Sequence, residues 1–328
     1  MSDMISPAIA RDAGPGSLQL ARGGEQTGVG DGILEADYRD WITLLKPRVL
    51  SLVVFTGVIG LLVAPGRINP VLGFTAILCI TVAAGACGAI NMWYDRDIDA
   101  VMRRTRNRPI PAGRIQPGSA LGFGVVLAVG SVIMMGLAVN LLAALILALS
   151  ICFYVFVYTV WLKRRTPQNI VVGGAAGAFP PLIGWAAVTG TVDIVPLMLF
   201  AIVFIWTPPH FWSLALWANE DYKRANVPML PVVAGARETR RQIFIYTLVL
   251  VPLTLMPVFL GFSGMIYGAA AMLLGLLFLL RTYHALTDSQ DEKGNSLTND
   301  APARAAFKYS VVYLFALFGA LAVDRLLG

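Results

Sequence analysis

Hydrophobic positions in this chain fall in long unbroken runs, not in one-sided helical stripes or alternating pairs. The runs lie near residues 48–65, 70–93, 119–138, 141–162, 168–189, 194–217, 242–262, 265–283 and 304–327. Each approaches the roughly 20 apolar residues that a helix needs to cross a bilayer. A membrane β-barrel would alternate polar and apolar residues over about 10 positions. The pattern therefore predicts an all-α integral membrane protein of about nine transmembrane helices.

Composition excludes the soluble and disordered classes. Of the 328 residues 57% are hydrophobic and only 13% charged, and mean hydropathy is +0.71. Residues 121–162 carry no Asp, Glu, Lys or Arg. Cys79, Cys87 and Cys152 sit in apolar runs without CxxC spacing and read as small packing residues.

Charge sets the expected orientation. All of the 25 basic residues except Arg67 and Arg325 fall on one side of the predicted spans, and that side is expected to be cytoplasmic. The N-terminus then faces the cytoplasm and the C-terminus faces out. The basic balance is a topology signal and calls for no nucleic acid. Residues 1–40 are polar and acidic, with no apolar signal-peptide core. They are expected to form a disordered cytoplasmic tail ahead of a transmembrane domain at 41–328. Their acidity favours a bacterial inner membrane over a mitochondrial one.

A transporter places ionisable residues deep in its spans; here the polar chemistry collects at the cytoplasmic rim. The first long loop carries Asn91, Asp95 and Asp99 at intervals of four, so the three share one helical face while Asp97 points away. Two carboxylates and an amide suit Mg²⁺, whose remaining positions substrate phosphates fill. Arg103, Arg104, Arg106 and Arg108 follow with forks that match phosphate oxygens. The plainer reading keeps Asp99 and Arg103 as a helical ion pair and the other arginines as positive-inside charges.

A second loop, 214–235, echoes the first at a shift of 122 residues, aligning Asp99 with Asp221 and Pro109 with Pro231. It also holds Glu220, Lys223 and Arg224. Upstream lies Trp206-Thr207-Pro208-Pro209-His210-Phe211-Trp212, where the paired prolines are expected to break or kink the span. On a regular helix His210 and Asp221 share a face about 16 Å apart along the axis. His210 is either a substrate-side group or a buried histidine bonded to a carbonyl. His284 reads as an interface residue. Lys163 and Arg164, after the fourth run, either complete a diphosphate site or act as stop-transfer charges. Gly173, Gly174 and Gly177 beyond them allow close helix approach.

These residues resemble the UbiA-type intramembrane prenyltransferases. Asn91, Asp95 and Asp99 match the family's first motif, Asn-x3-Asp-x3-Asp; Arg104, Thr105, Arg108 and Pro109 match its continuation. The segments Pro208–Leu216, Asp221-Tyr222 and Val227–Pro231 are similar to the branch of that family that farnesylates protohaem. The resemblance spans about residues 40–325. It implies a nine-helix bundle around a central cavity, with haem B and farnesyl diphosphate as substrates in contact with membrane lipid. It implies Mg²⁺ on Asn91, Asp95, Asp99 and Asp221, and diphosphate on Arg103, Arg104, Arg108, Lys163, Arg164, Lys223 and Arg224. His210, Trp206 and Tyr158 would line the haem side, and Tyr94, Tyr158 or Trp206 would face an allylic cation. A downstream haem-modifying enzyme or an oxidase assembly factor is a further candidate partner, and prenylation of a quinone precursor is the alternative activity. One departure is visible: relatives usually carry Asp-x3-Asp in the second loop, but Trp217 and Ala225 flank Asp221 at that spacing. Asp221, with Glu220 beside it, is then the acid of that loop that can reach a metal, and Lys223 or Arg224 would hold diphosphate charge in place of a second ion.

Overall fold

The computed structural model describes residues 36–328, except Lys293, Gly328 and the side chains of Arg48 and Val49. Most of the expected tail lies outside the described residues. Its last few residues enter a short helix, α1 (Tyr38–Leu44), and Asp40 accepts a hydrogen bond from Arg114 at 2.9 Å.

The spans follow as α2 (Pro47–Val63), α3 (Pro70–Tyr94), α5 (Pro117–Ala138), α6 (Leu141–Cys152), α7 (Asn169–Thr189), α8 (Ile194–Trp217), α11 (Gly235–Phe259), α12 (Met265–Leu286) and α13 (Ala301–Leu327). Short helices α4 (Arg96–Val101), α9 (Asn219–Arg224) and α10 (Leu230–Val233) lie in the two long loops. Among the described residues eight helices are long and apolar enough to cross a membrane, α6 being counted with its continuation to Leu162. The first expected span is the short one, with an apolar stretch of Leu50–Val63. Large side chains such as Phe74, Val126, Leu137 and Phe259 face outward on several helices. Bare apolar surface of that extent belongs in lipid, and the protein is an integral membrane protein.

The most enclosed helix is α7, whose most apolar window is 72% buried against 22% for Leu141–Leu162. One of its faces joins α2, α8 and α13 in a core around Trp185, Leu199 and Phe318; the other joins α3 and α6 around Ile80, Leu147 and Ile183. Small residues make this possible. Gly60 lies on the backbone of Pro181, and Gly184 on the carbonyl of Gly57. Dispersion between backbones takes the place of the hydrophobic effect in lipid, so a side chain at either glycine would force α2 and α7 apart. Gly173 and Gly174 are likewise covered, by the Tyr158 ring and by Thr207, whereas Gly177 meets nothing nearby. Cys79 and Cys87 are buried as expected, but Cys152 is exposed.

Three local expectations are corrected. The Pro208-Pro209 pair does not break its span, for α8 runs continuously from Ile194 to Trp217 with both prolines buried. Neighbouring helices hold such a segment in helical form. The helix does stop at Ala218, so His210 and Asp221 do not lie on one regular helix. The run at 141–162 is not one regular helix either: Phe153–Leu162 forms a π-helix, closed by Lys163 N–H donating to the Tyr158 carbonyl five residues back at 2.9 Å.

Two polar devices tie down the ends. At the end of the bundle away from the two long loops, the Asp324 carboxylate accepts from the backbone N–H of Gly264 and Tyr267, capping α12. At the rim, Arg240, 1% exposed, donates to the Gly294 carbonyl and to Asp300, both at 2.9 Å, and lies 3.6 Å from Asp288. This fixes the α12–α13 loop onto α11.

Candidate active site

The candidate site forms where α3 ends. Asp95 caps α3 and α4 begins at Arg96, yet the backbone bonds Asp95 N–H to Asn91 O (2.9 Å) and Asp99 N–H to Asp95 O (2.8 Å) keep the four-residue register. Asn91, Asp95 and Asp99 are therefore buried together, at 4%, 0% and 2% exposure. Asp97 points outward, its side chain 60% exposed. Burying two carboxylates is costly unless each is paired, and cations from two other segments supply the pairs.

Lys163 donates to Asp95 Oδ2, which also accepts from Asn91 Nδ2 at 2.7 Å. Arg108 donates to Asp99 Oδ2 at 2.6 Å. Lys46 donates to Asn91 Oδ1 at 2.6 Å. The π-helix has a role here, since it sets Thr159 against Asn91 (3.3 Å) and Lys163 against Asp95. π-helical turns are uncommon and collect at functional sites. Tyr158 packs on Gly173 and stands within electrostatic range of Asp95 and Arg104. Among the described residues it makes no ring contact with His210 or Trp206, so it belongs to the acidic side of the site and not to the histidine side.

Lys46 was not anticipated from the sequence, where it counted only as a basic residue before the first span. Its backbone is left-handed, φ 54° and ψ 55°, an uncommon state for a residue other than glycine. Burial, helped by the charges of Arg108 and Lys163, pushes its ammonium pKa down to about 7. The one available signal was a Lys-Pro pair opening an apolar run.

Arg164 pairs chiefly with Asp97, at the edge of the cluster. Its guanidinium grips Asp97 with two bonds of 2.7 Å, lies 3.6 Å from Asp95 Oδ1 and covers the Tyr94 ring at 4.9 Å. The hydrogen bond from Arg164 holds the Asp97 carboxyl below its usual range. Because this pair is largely solvated, Asp97→Ala is expected to reduce turnover by no more than about fivefold, an exposed pair contributing at most about 1 kcal/mol. Matched assays of Asp97→Ala and Asp95→Ala check the difference.

The second loop reaches the first through Arg103, whose backbone N–H lies 3.4 Å from Asp221 Oδ1. Ile98 and Met102 of the first loop share an apolar cluster with Tyr222, Val227 and Met229 of the second. Asp221 also pairs with Arg224 at 3.1 Å, and Lys223 with Glu220 at 3.0 Å. Among the described residues no three acidic, cysteine or histidine side chains gather as a ready metal cluster. Trp217, four residues before Asp221, lies under Arg304 at 5.1 Å and edge-on to Phe307 at 5.4 Å. Arg103 and Arg104 are exposed, with no carboxylate partner for either guanidinium among the described residues.

His210 lies between α8 and α13. Its ring stacks on Trp206 (centroids 4.4 Å) and Phe307 (4.7 Å), and Nδ1 is 2.7 Å from Ser310 Oγ. Trp206 Nε1 donates to the Ser310 carbonyl at 2.9 Å. His284 is exposed at the end of α12.

Residues 53–321 match the UbiA prenyltransferase family. The chain belongs to the UbiA prenyltransferase family. A relative from Granulibacter bethesdensis named protoheme IX farnesyltransferase is 69% identical over 290 residues, 88% of this chain and 92% of its own length. One of the same name from Acidiphilium cryptum is 66% identical over 294 residues, 90% of this chain and 93% of its own. The UbiA fold is shared with a solved digeranylgeranylglyceryl phosphate synthase (TM-score 0.72, 18% identity, covering 88% of this chain and 99% of that one). It is shared also with a UbiA homologue from Archaeoglobus fulgidus bound to DMAPP and Mg²⁺ (TM-score 0.63, 18% identity, covering 85% and 99%). The rim cluster of this UbiA enzyme thus belongs to a membrane prenyltransferase.

Proposed function

We propose that the protein transfers the farnesyl group of farnesyl diphosphate to a vinyl group of protohaem IX, with addition of water, giving haem O and diphosphate. The observation that carries the choice of acceptor is the 69% identity, over 88% of the chain, to a relative named protoheme IX farnesyltransferase. The two-sided site agrees with it: a cationic, carboxylate-bearing rim for a diphosphate, and an aromatic wall around His210 for a flat apolar acceptor.

The rim residues fit a divalent cation. Asp95 Oδ1 is buried without a hydrogen-bond partner, and the donors of Asn91, Asp95 and Asp99 are the hard oxygens that Mg²⁺ takes. Asp221 is the acid that the second loop brings to the same rim. The ion, when bound, neutralises the leaving diphosphate. Lys46, Lys163 and Arg108, now spent on these oxygens, are the cations that bind and orient phosphate oxygens, with Arg103 and Arg104 outside them. As the bond from farnesyl C1 to the diphosphate oxygen breaks, the vinyl π electrons form the new carbon–carbon bond. Water then adds to the porphyrin-side cation and its proton passes to diphosphate, so the charges balance. Tyr158, whose ring packs on Gly173, is the aromatic assigned here to the allylic charge.

The basic side of the bundle is taken as cytoplasmic, in a bacterial inner membrane, with the N-terminus inside and the C-terminus outside. Residues 1–40 are taken as a tail to the 41–328 domain. A haem-modifying enzyme or oxidase assembly factor is the natural recipient of so apolar a product.

Extraction of pigments after expression with a haem source tests the activity: a farnesylated haem must appear, and must disappear when divalent cations are chelated. A prenylated quinone precursor in its place would transfer the reading to the other branch. Lys46→Met keeps the apolar stem and removes the charge. It is expected to raise KM for farnesyl diphosphate by about 10- to 100-fold, the range for a hydrogen bond to a charged group, with a smaller change for haem.

A further inference from the structure

The hydrogen bonds around His210 decide which of its nitrogens is available. Ser310 Oγ has one proton and donates it to the Phe307 carbonyl at 2.7 Å, one turn back on α13. Toward His210 Nδ1, at 2.7 Å, that hydroxyl can therefore only accept. With the Ser310 proton on that carbonyl, Nδ1 carries the ring proton of His210 and the lone pair lies on Nε2. Ser310 is itself fully buried and is fixed a second time by Trp206 Nε1 on its carbonyl.

The surroundings of the ring limit what Nε2 can meet. Trp206 stacks at 18° and Phe307 at 23°, and Phe211 stands edge-on at 86°. His210 as a whole is half-buried; with its faces stacked and Nδ1 bonded, the edge bearing Nε2 is the part of the ring left without a contact partner. No hydrogen-bond partner for Nε2 occurs among the described residues. A histidine whose Nδ1–H is tied to an oxygen acceptor while Nε2 stays open has the arrangement of a metal-ligating imidazole, in which the second bond orients the ring and raises its basicity. Among the described residues no lysine or carboxylate is bonded to it.

We infer that His210 Nε2 is the axial ligand of the acceptor haem iron, and that Ser310 is its positioning residue, acting through Nδ1. This rests on the farnesyl-to-haem reading above. Ligation would pin the macrocycle at its centre against the Trp206–Phe307 wall and leave its vinyl edge to be directed to the rim. It is a lone-pair donation, with no change of redox state and no proton transfer.

The chain has only two histidines, which allows a test without substituting His210. Full-length protein labelled with ¹⁵N-histidine and loaded with ferric haem B should show strong ¹⁵N hyperfine coupling at the iron by pulsed electron paramagnetic resonance. His284→Ala should leave that coupling and the activity unchanged. His210→Gln should remove the coupling and the histidine-type Soret band while farnesyl diphosphate still protects the variant from proteolysis, and added imidazole should restore the band. Ser310→Ala should keep the coupling, shift the iron–nitrogen vibration and weaken haem binding by about tenfold, the low end for loss of a ligand's supporting bond. Wild-type protein that binds haem without ¹⁵N coupling would overturn the ligand assignment and leave the haem reading standing. Wild-type protein that binds no haem would overturn both.

Discussion

Asp95→Ala is expected to lower prenyl transfer by at least about 10³-fold, the scale for removing a principal electrostatic stabiliser of a developing oxyanion. Asp95 is fully buried, and its Oδ2 takes both Lys163 and Asn91 while Oδ1 has no hydrogen bond. Its removal takes away the innermost carboxylate and leaves the Lys163 ammonium, only 18% exposed, facing an amide. Breaking a buried pair from one side costs up to about 3–5 kcal/mol, so the variant should also melt earlier. Asp95→Asn separates the two effects. It keeps the shape, should recover much of the stability and should remain inactive. Single-turnover assays with radiolabelled farnesyl diphosphate, alongside thermal unfolding in detergent, check both parts. Near-normal turnover in a well-folded Asp95→Asn protein would remove the carboxylate from the mechanism.

Arg108→Ala is expected to raise KM for farnesyl diphosphate by about 100-fold or more and KM for haem much less. The guanidinium donates to Asp99 at 2.6 Å, and this residue pair is the means by which the loop after α4 folds back on the acidic cluster. Two losses combine: a charge-assisted bond to the phosphate, and the partner of a carboxylate that is only 4% exposed. Arg108→Lys should restore part of the affinity, because a point charge cannot reproduce a two-pronged contact. In the double variant Arg108→Ala/Asp99→Ala the stability loss should shrink while activity stays low, since no unpaired charge is left buried. Steady-state kinetics with each substrate varied in turn, and melting of the single and double variants, check this. A defect confined to haem would exchange the two sides of the site.

Much of this was readable along the chain, for a physical reason. In a bilayer every backbone group must be satisfied within its own helix, so uninterrupted apolar length predicts spans almost directly. The nine runs accordingly correspond to α2, α3, α5, α6 with its π continuation, α7, α8 and α11–α13. The four-residue spacing of Asn91, Asp95 and Asp99 also held, because local backbone bonds carry the register across the cap at Asp95. The outward aim of Asp97 followed from the same periodicity. The expectation of a break at Pro208-Pro209 failed because proline chemistry speaks only of the isolated helix, and α8 is confined by its neighbours.

Other features had no local signal. A run of Phe, Tyr and Val gives no reason to prefer five-residue over four-residue hydrogen bonds, so the π-helix that delivers Thr159 and Lys163 was not visible. Lys46 became a site residue only when α1 and α2 met α3, and only the packing shows Arg164 paired with Asp97. Sequence by itself determined the helical membrane class, the spans, the family and the rim acids, since each depends on composition or on spacing within one helix. Tertiary structure alone decided which cation answers which carboxylate, where Asp221 stands, and which nitrogen of His210 is free. Those depend on side chains up to 100 residues apart, such as His210 and Ser310, whose meeting is set by helix packing and written in no local pattern.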